Sequence, residues 1–184
     1  IIIIGGGLQG LTTANALIDR GEEVLLLERS SGVATQTSFA NAGMLTPSQA
    51  APWNSMADIV NILSGIGKKD SPMLLKLDQV PSLFFWGLRF LLNSSKSKYR
   101  SNTENICKLA QHSLELTKQI REKYGFNYDH SSVGTMKIFR DESSFNKASK
   151  EVERLSDLGL TFKVLSNHEL VEQEPFLSDA SNKI

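Results

Sequence analysis

The chain has 184 residues, 40% of them apolar and 22% charged, with 20 basic residues matching 20 acidic ones. That composition suits a globular protein of one ordinary domain, or one and a part, with a real core. It gives no bulk attraction for nucleic acid or acidic lipid, and a single cysteine, Cys107, forms no internal disulfide and points to a reducing, cytoplasmic setting. No basic-then-apolar leader is visible, and no apolar run approaches the ~18 residues of a spanning helix. The chain begins without methionine inside a strand-like run and ends on a segment with no closing element, so an incomplete protein is expected.

Ile1 to Ile4 are β-branched and continuously apolar, the pattern of a parallel strand covered on both faces. Gly5-Gly6-Gly7-Leu8-Gln9-Gly10 follows directly and spells G-x-G-x-x-G. From Leu8 the period becomes helical, with Leu8, Leu11, Ala14, Leu17 and Ile18 on one face, and Gly21 stands at the helix end. Val24 to Leu27 reads as a second strand, ended by Glu28. The order predicts a Rossmann-like unit. Gly5 makes the tight turn, Gly7 lets backbone approach a pyrophosphate, and Gly10 lets the helix pack on the strand. The helix start offers unpaired N–H groups to phosphates. Glu28, eighteen positions beyond Gly10, is placed to accept hydrogen bonds from a ribose, which disfavours a 2′-phosphate. This fingerprint alone leaves NAD and FAD both open.

Ser30 to Leu45 is a loop of small residues rather than another crossover helix. With the fingerprint, Glu28-Arg29 and the run GVATQTSFANAG from Gly32 to Gly43 resemble the FAD-dependent D-amino acid oxidase and glycine oxidase superfamily. Within it, the likeness is to the dehydrogenases of D-amino acids. Residues around Pro52-Trp53, GTMKIFR from Gly134 to Arg140 and ELVEQEP from Glu169 to Pro175 extend the resemblance over essentially the whole chain.

The resemblance implies FAD as cofactor, held by Ile4, Gly5, Gly6, Gly7, Leu8, Gln9 and Gly10 with Glu28 on the ribose and Arg29 beside the adenosine half. Thr37, Ser38, Asn41, Ala42 and Gly43 would line the pyrophosphate, ribityl chain and flavin ring. It also implies hydride transfer from a D-amino acid to flavin N5 and release of a 2-oxo acid and ammonia. Electrons would pass to a respiratory acceptor, which allows a peripheral position on the inner face of the cytoplasmic membrane. The substrate-binding and catalytic groups are expected beyond residue 184, so neither Arg140 nor Tyr128 is assigned that role. This piece alone is expected to be inactive. Two alternatives stay open: an oxygen-using glycine or sarcosine oxidase, and a non-catalytic NAD- or nucleotide-binding module.

After Leu45 the strand-helix rhythm stops. Residues 1–45 are expected to form the first part of a discontinuous FAD-binding domain, and 46–184 part of a mixed α+β substrate domain. Short helices are predicted over Met56–Ile66 and Pro81–Leu92, and a long amphipathic one over Thr103–Tyr124. The run Asn93–Asn102 reads as a basic, polar linker. FNYDHSSVGTMKIFR reads as two strands around Ser131-Ser132, Thr161–Leu165 as a third. Helices are expected over Ser144–Leu158 and Asn167–Glu174, the latter with a Ser166–Glu169 capping box. The apolar segment Leu83–Leu92 is read first as a core helix, with a membrane-surface helix beside Lys96, Lys98 and Arg100 as the alternative. His112, His130 and His168 show no metal-ligand spacing, Cys107 reads as a packing residue, and no metal is expected.

Overall fold

The computed structural model describes residues 1–49, 51–56, 59–60, 64–65 and 80–183. The chain divides into two compact units, Ile1–Met44 and Leu45–Ile184. The first holds strand β1 (Ile2–Ile4), helix α1 (Leu8–Ile18) and strand β2 (Leu25–Leu27). The strands run parallel, with Ile2 opposite Leu25, Ile3 opposite Leu26 and Ile4 opposite Leu27. Gly5 N–H extends the ladder by donating to the Leu27 carbonyl at 2.8 Å.

A parallel pair must be joined by a crossover, and α1 supplies it. Gly21 ends that crossover at φ +83°, a left-handed conformation that glycine adopts without penalty. Gly10 sets how close α1 comes to β1: a methyl group there would lie 1.9 Å from the Gly5 carbonyl oxygen and 3.5 Å from Ile3 Cγ2. Ala14, one turn on, is the buried residue of the helix. The expectation that β1 is covered on both faces is met on one alone. Ile3 and Leu26 are half-buried, whereas Ile2, Ile4, Leu25 and Leu27 on the opposite face are exposed within this chain.

The second unit begins with a 3₁₀ turn, Pro47–Gln49, which packs against a long helix. Its helices are α2 (Val80–Leu92), α3 (Lys96–Tyr124), α4 (Glu142–Ser156) and α5 (Asn167–Gln173), followed by a 3₁₀ segment, Pro175–Lys183. Cys107 of α3 and Leu155 of α4 are buried against each other, with Leu158 and Leu160 beside them. Gln111 of α3 donates to the Leu158 carbonyl at 3.0 Å. Cys107 is thus the packing residue expected, and burial pushes its thiol pKa up.

Four expectations are corrected here. The linker Asn93–Asn102 is helical from Lys96. Lys, Tyr and Arg are good enough helix formers, and Thr103, almost wholly buried, bonds back to the Tyr99 carbonyl at 2.8 Å. The strands expected around Ser131-Ser132 and over Thr161–Leu165 do not form. β-branched and aromatic residues favour strands only where a neighbour offers a half-buried pleated surface, and Val133, Ile138, Phe162 and Val164 are exposed instead. These irregular stretches border a hollow of about 1350 Å³ within the second unit. The fourth helix starts at Glu142, because Asp141 caps it by accepting from Ser144 N–H at 2.7 Å. Finally, α2 is not buried within this chain: Phe84, Phe85, Trp86, Leu88, Leu91 and Leu92 are all exposed. Of the helix expected over Met56–Ile66, Met56, Ile59, Val60 and Ser64 are helical, and the remainder lies outside the described residues.

The capping box is present. Ser166 Oγ accepts from Glu169 N–H and Glu169 Oε2 accepts from Ser166 N–H at 2.9 Å, while Glu169 Oε1 meets Lys163 Nζ at 2.8 Å. Lys163 first, then Ser166, holds the Glu169 carboxyl down at about 2.

Two predictions follow from this packing. Gly10→Ala should destabilise the first unit by about 1–3 kcal/mol or more, since backbone and not a flexible side chain blocks the methyl group. Urea unfolding of the variant measures it, and an unchanged midpoint would contradict the close approach. Glu169 has a folded pKa below its unfolded one. Its stabilising contribution is therefore complete above about 4.5 and lost as pH falls toward about 2. In Lys163→Met the carboxyl should titrate higher, read from its ¹³C shift by NMR, and an unmoved titration would discount the ion pair.

Candidate functional site

The site is the crest of the β1-α1-β2 unit, where the chain leaves one strand and re-enters from the other. Gly5 turns the chain at φ +100°, and no atom lies within 4 Å of where its side chain would be. Gly7 then starts α1 as an N-cap without a side chain, and Leu11 N–H donates to its carbonyl at 3.0 Å. No acidic residue occupies the first turn, so no carboxylate of α1 offsets the partial positive charge of the helix start.

Two side chains from the returning loop reach this crest. Glu28, at the end of β2, accepts from Gly6 N–H through Oε2 at 2.6 Å and from Ser30 N–H through Oε1 at 2.8 Å. The Ser30 bond first, and the Gly6 bond next, lower the Glu28 pKa below the usual carboxylate range. Ser38 Oγ accepts from Leu8 N–H at 3.0 Å and so caps α1 from thirty residues away. It stands 3.4 Å from where a Gly7 methyl would be.

Three residues missed in the sequence complete the frame. Ser30 presents its N–H to Glu28. Val33 fills the space over buried Gly6, where a methyl would come within 2.8 Å of its Cγ1. Ala34 donates to the Gly6 carbonyl at 2.8 Å while held at φ +57°. An alanine in the left-handed region carries no sequence signal, because glycine or asparagine is the ordinary occupant.

Of the expected site residues, the structure brings Gly5, Gly6, Gly7, Leu8 and Gly10 together with Glu28 and Ser38. Ile4 ends the strand beneath them, and Gln9 is exposed on the first turn of α1. Arg29 and Thr37 are exposed. Asn41 folds on its own stretch, Oδ1 accepting from Gly43 N–H at 2.8 Å with Gly43 at φ +64°, and Ala42 lies exposed between them. Among the described residues no group of three or more His, Cys, Asp or Glu could hold a metal ion.

This geometry offers what a dinucleotide asks for: a turn without side chains, a helix start free of carboxylates, and a carboxylate at the end of the second strand. Residues 1–183 match the family model described as FAD dependent oxidoreductase. Over 184 residues the chain is 34% identical to a D-amino acid dehydrogenase of Phenylobacterium zucineum (strain HLK1), an alignment that covers 100% of this chain and 43% of that relative. The chain therefore spans less than half the length of this relative. No solved structure matches it. With its fingerprint folded as that family requires and the match running along nearly its whole length, the chain belongs to the FAD dependent oxidoreductase family, the D-amino acid oxidase group.

Proposed function

We propose that the crest of the first unit holds FAD and that the full protein oxidatively deaminates D-amino acids such as D-alanine, passing the electrons to a respiratory acceptor. The observation that carries this reading is the glycine crest with Glu28 at its edge; the likeness to a D-amino acid dehydrogenase supports the substrate class.

The residues present fit the cofactor. An ionised carboxylate has about four lone-pair sites, and backbone N–H groups take two of those on Glu28, which leaves acceptors for the two ribose hydroxyls. Ser38 spends an oxygen lone pair on Leu8 N–H and keeps its own proton to give to a phosphate oxygen. The open space at Gly5 would admit the diphosphate, with Ser38 Oγ beside Gly7, and the start of α1 attracts its charge. Arg29, Thr37, Asn41, Ala42 and Gly43 stand on the same loop, from which they would reach the adenosine half, the ribityl chain and the flavin ring.

Bound FAD supplies a two-electron acceptor for the substrate Cα hydride. A D-amino acid that loses this hydride becomes an imino acid, and water converts it to a 2-oxo acid and ammonium. The described residues serve the cofactor end of this chemistry. The catalytic groups are proposed to lie in the part of the protein that aligns beyond residue 184.

The reading is tested on the purified full-length protein by its visible spectrum without oxygen. Flavin bands that bleach on addition of D-alanine support it. Bands that persist with D-alanine but bleach with glycine or sarcosine would redirect the substrate, and a colourless protein without extractable flavin would overturn it.

The Glu28 role makes a second prediction. Because its folded pKa is lowered, its acceptor function should be complete at neutral pH and persist below 4.5 before failing as the carboxyl protonates. Glu28→Gln should weaken FAD binding by about ten- to a hundredfold, the worth of hydrogen bonds to a charged group, and remove that acid limb. Fluorescence titration of the apoprotein with FAD measures both, and wild-type affinity in the variant would exclude the role.

A further inference from the structure

Ala34 is the one non-glycine residue at positive φ among the described residues, held at +57°. An L-alanine in that region carries strain that persists only where its surroundings over-determine it. Two hydrogen bonds hold it. Thr35 donates through Oγ1 to the Gly32 carbonyl at 3.2 Å across the turn, and Ala34 N–H donates to the Gly6 carbonyl at 2.8 Å. The second bond crosses from the loop after β2 to the glycine run.

The glycine run needs that tie. Gly6 is buried, and a methyl group on it would come within 2.8 Å of Val33 Cγ1 and 3.2 Å of Glu28 Oε2. Position 6, formally free in G-x-G-x-x-G, is therefore held to glycine, and the Gly6–Gly7 peptide has no Cβ on either side. Such a peptide flips readily, because a flip turns ψ of Gly6 and φ of Gly7 together and glycine accepts either result. The two orientations differ in sign toward an anion. No peptide bond is cis, and across a trans peptide C=O and N–H point in opposite directions. With the Gly6 carbonyl turned to Ala34, the Gly7 N–H points away from Ala34, and it finds no partner among the described residues. Flipped, the same peptide would present its carbonyl oxygen there instead. The preceding peptide is fixed in the same manner: Glu28 takes Gly6 N–H, which turns the Gly5 carbonyl toward Gly10.

We propose that Ala34 is a positioning residue for the cofactor diphosphate, its N–H locking the Gly6–Gly7 peptide so that the Gly7 N–H, and not the Gly6 carbonyl, faces the anion. Ala34 acts through this peptide and touches no ligand itself. The lock converts a turn that glycine leaves free into one whose donor is aimed before the ligand arrives, which lowers the cost of binding. The proposal rests on the FAD reading above for its purpose, though not for its geometry.

The test uses the purified full-length protein, from which FAD is removed and to which it is returned. In the free wild type, hydrogen exchange at the Ala34 amide should be slow. With glycine ¹⁵N-labelled, the Gly7 amide proton should move downfield as FAD binds. Lactic acid in place of Ala34 turns its amide into an ester, which deletes the N–H and keeps the methyl group. FAD affinity, read by fluorescence titration, should then fall roughly tenfold, the weight of one hydrogen bond. Ala34→Gly keeps the donor and should bind FAD like wild type. A merely structural role is separated by the Gly7 signal, which should shift in Ala34→Gly and shift less in the ester variant saturated with FAD. Fast exchange at Ala34 or an unmoved Gly7 amide in wild type would overturn the lock, with no substitution needed. So would an ester variant with wild-type affinity and a wild-type Gly7 shift. Wild type that takes up no FAD while Ala34 stays protected would instead remove the cofactor reading, and the purpose of the lock with it.

Discussion

The first unit depends on one close approach, that of helix α1 to the turn leaving β1. Gly10 has no side chain, and the Gly5 carbonyl occupies the space where one would begin. Any other residue would push the helix away and swing its N-terminus off the strand axis. With the contact made, the first N–H groups of α1 look out over the carboxyl ends of two parallel strands, the position from which helix dipoles act on bound anions. Sheet register contributes too: Gly5 N–H continues the ladder onto Leu27, so the turn starts at a fixed height above Glu28.

A crest built this way leaves backbone donors unsatisfied, and the chain covers only part of them. Glu28 takes Gly6 and Ser30 N–H, and Ser38 takes Leu8 N–H. A carboxylate beside an anion site would ordinarily repel the ligand. Here it grips the backbone N–H groups of Gly6 and Ser30, so its charge is partly compensated by the dipoles it binds. In the reading proposed above, ribose hydroxyls would fall to the carboxylate and phosphate oxygens to the helix start and Ser38. Val33 and Ala34 matter in the same way, by pressing on Gly6 and tying its carbonyl, which keeps the turn from relaxing toward the empty space above Gly5.

Where the sequence determined structure through local period and local sterics, it was legible. The isoleucine run, the glycine spacing and the α1 stripe sufficed for strand, turn and helix, and the Ser166–Glu169 box marked the start of α5. Where structure depends on a distant partner, it was not. Ser38 as the cap of α1, Ala34 at positive φ and Ser30 as partner of Glu28 are set by the loop's return path, which no local pattern encodes. The segments around Met136 and Phe162 illustrate the converse. Their residues suit a strand, but a strand needs a neighbour to bond, and these have none among the described residues. Lys96–Asn102 failed for a composition reason: serines, asparagine and lysines read as linker, while burial of Thr103 carried the helix back through them.

Exposed apolar side chains occur in both units but differ in physical setting. Ile2, Ile4, Leu25 and Leu27 form a flat strand face whose neighbouring charges, Glu22, Glu23 and Glu28 against Arg29, are mainly acidic. A surface of that kind suits burial against more protein, where backbone ladder and apolar face are satisfied together. Helix α2, equally exposed, has its own backbone hydrogen bonds satisfied and needs no sheet partner. Between Asp78 and Glu104 the sequence holds four cations and no carboxylate, although the chain as a whole is neutral. Neutrality in bulk therefore conceals a local segregation of charge along the sequence. Trp86 stacks on Phe90 and both border a hollow, yet Trp86 is itself 56% exposed, so the aromatic pair does not close off that side of α2 within this chain.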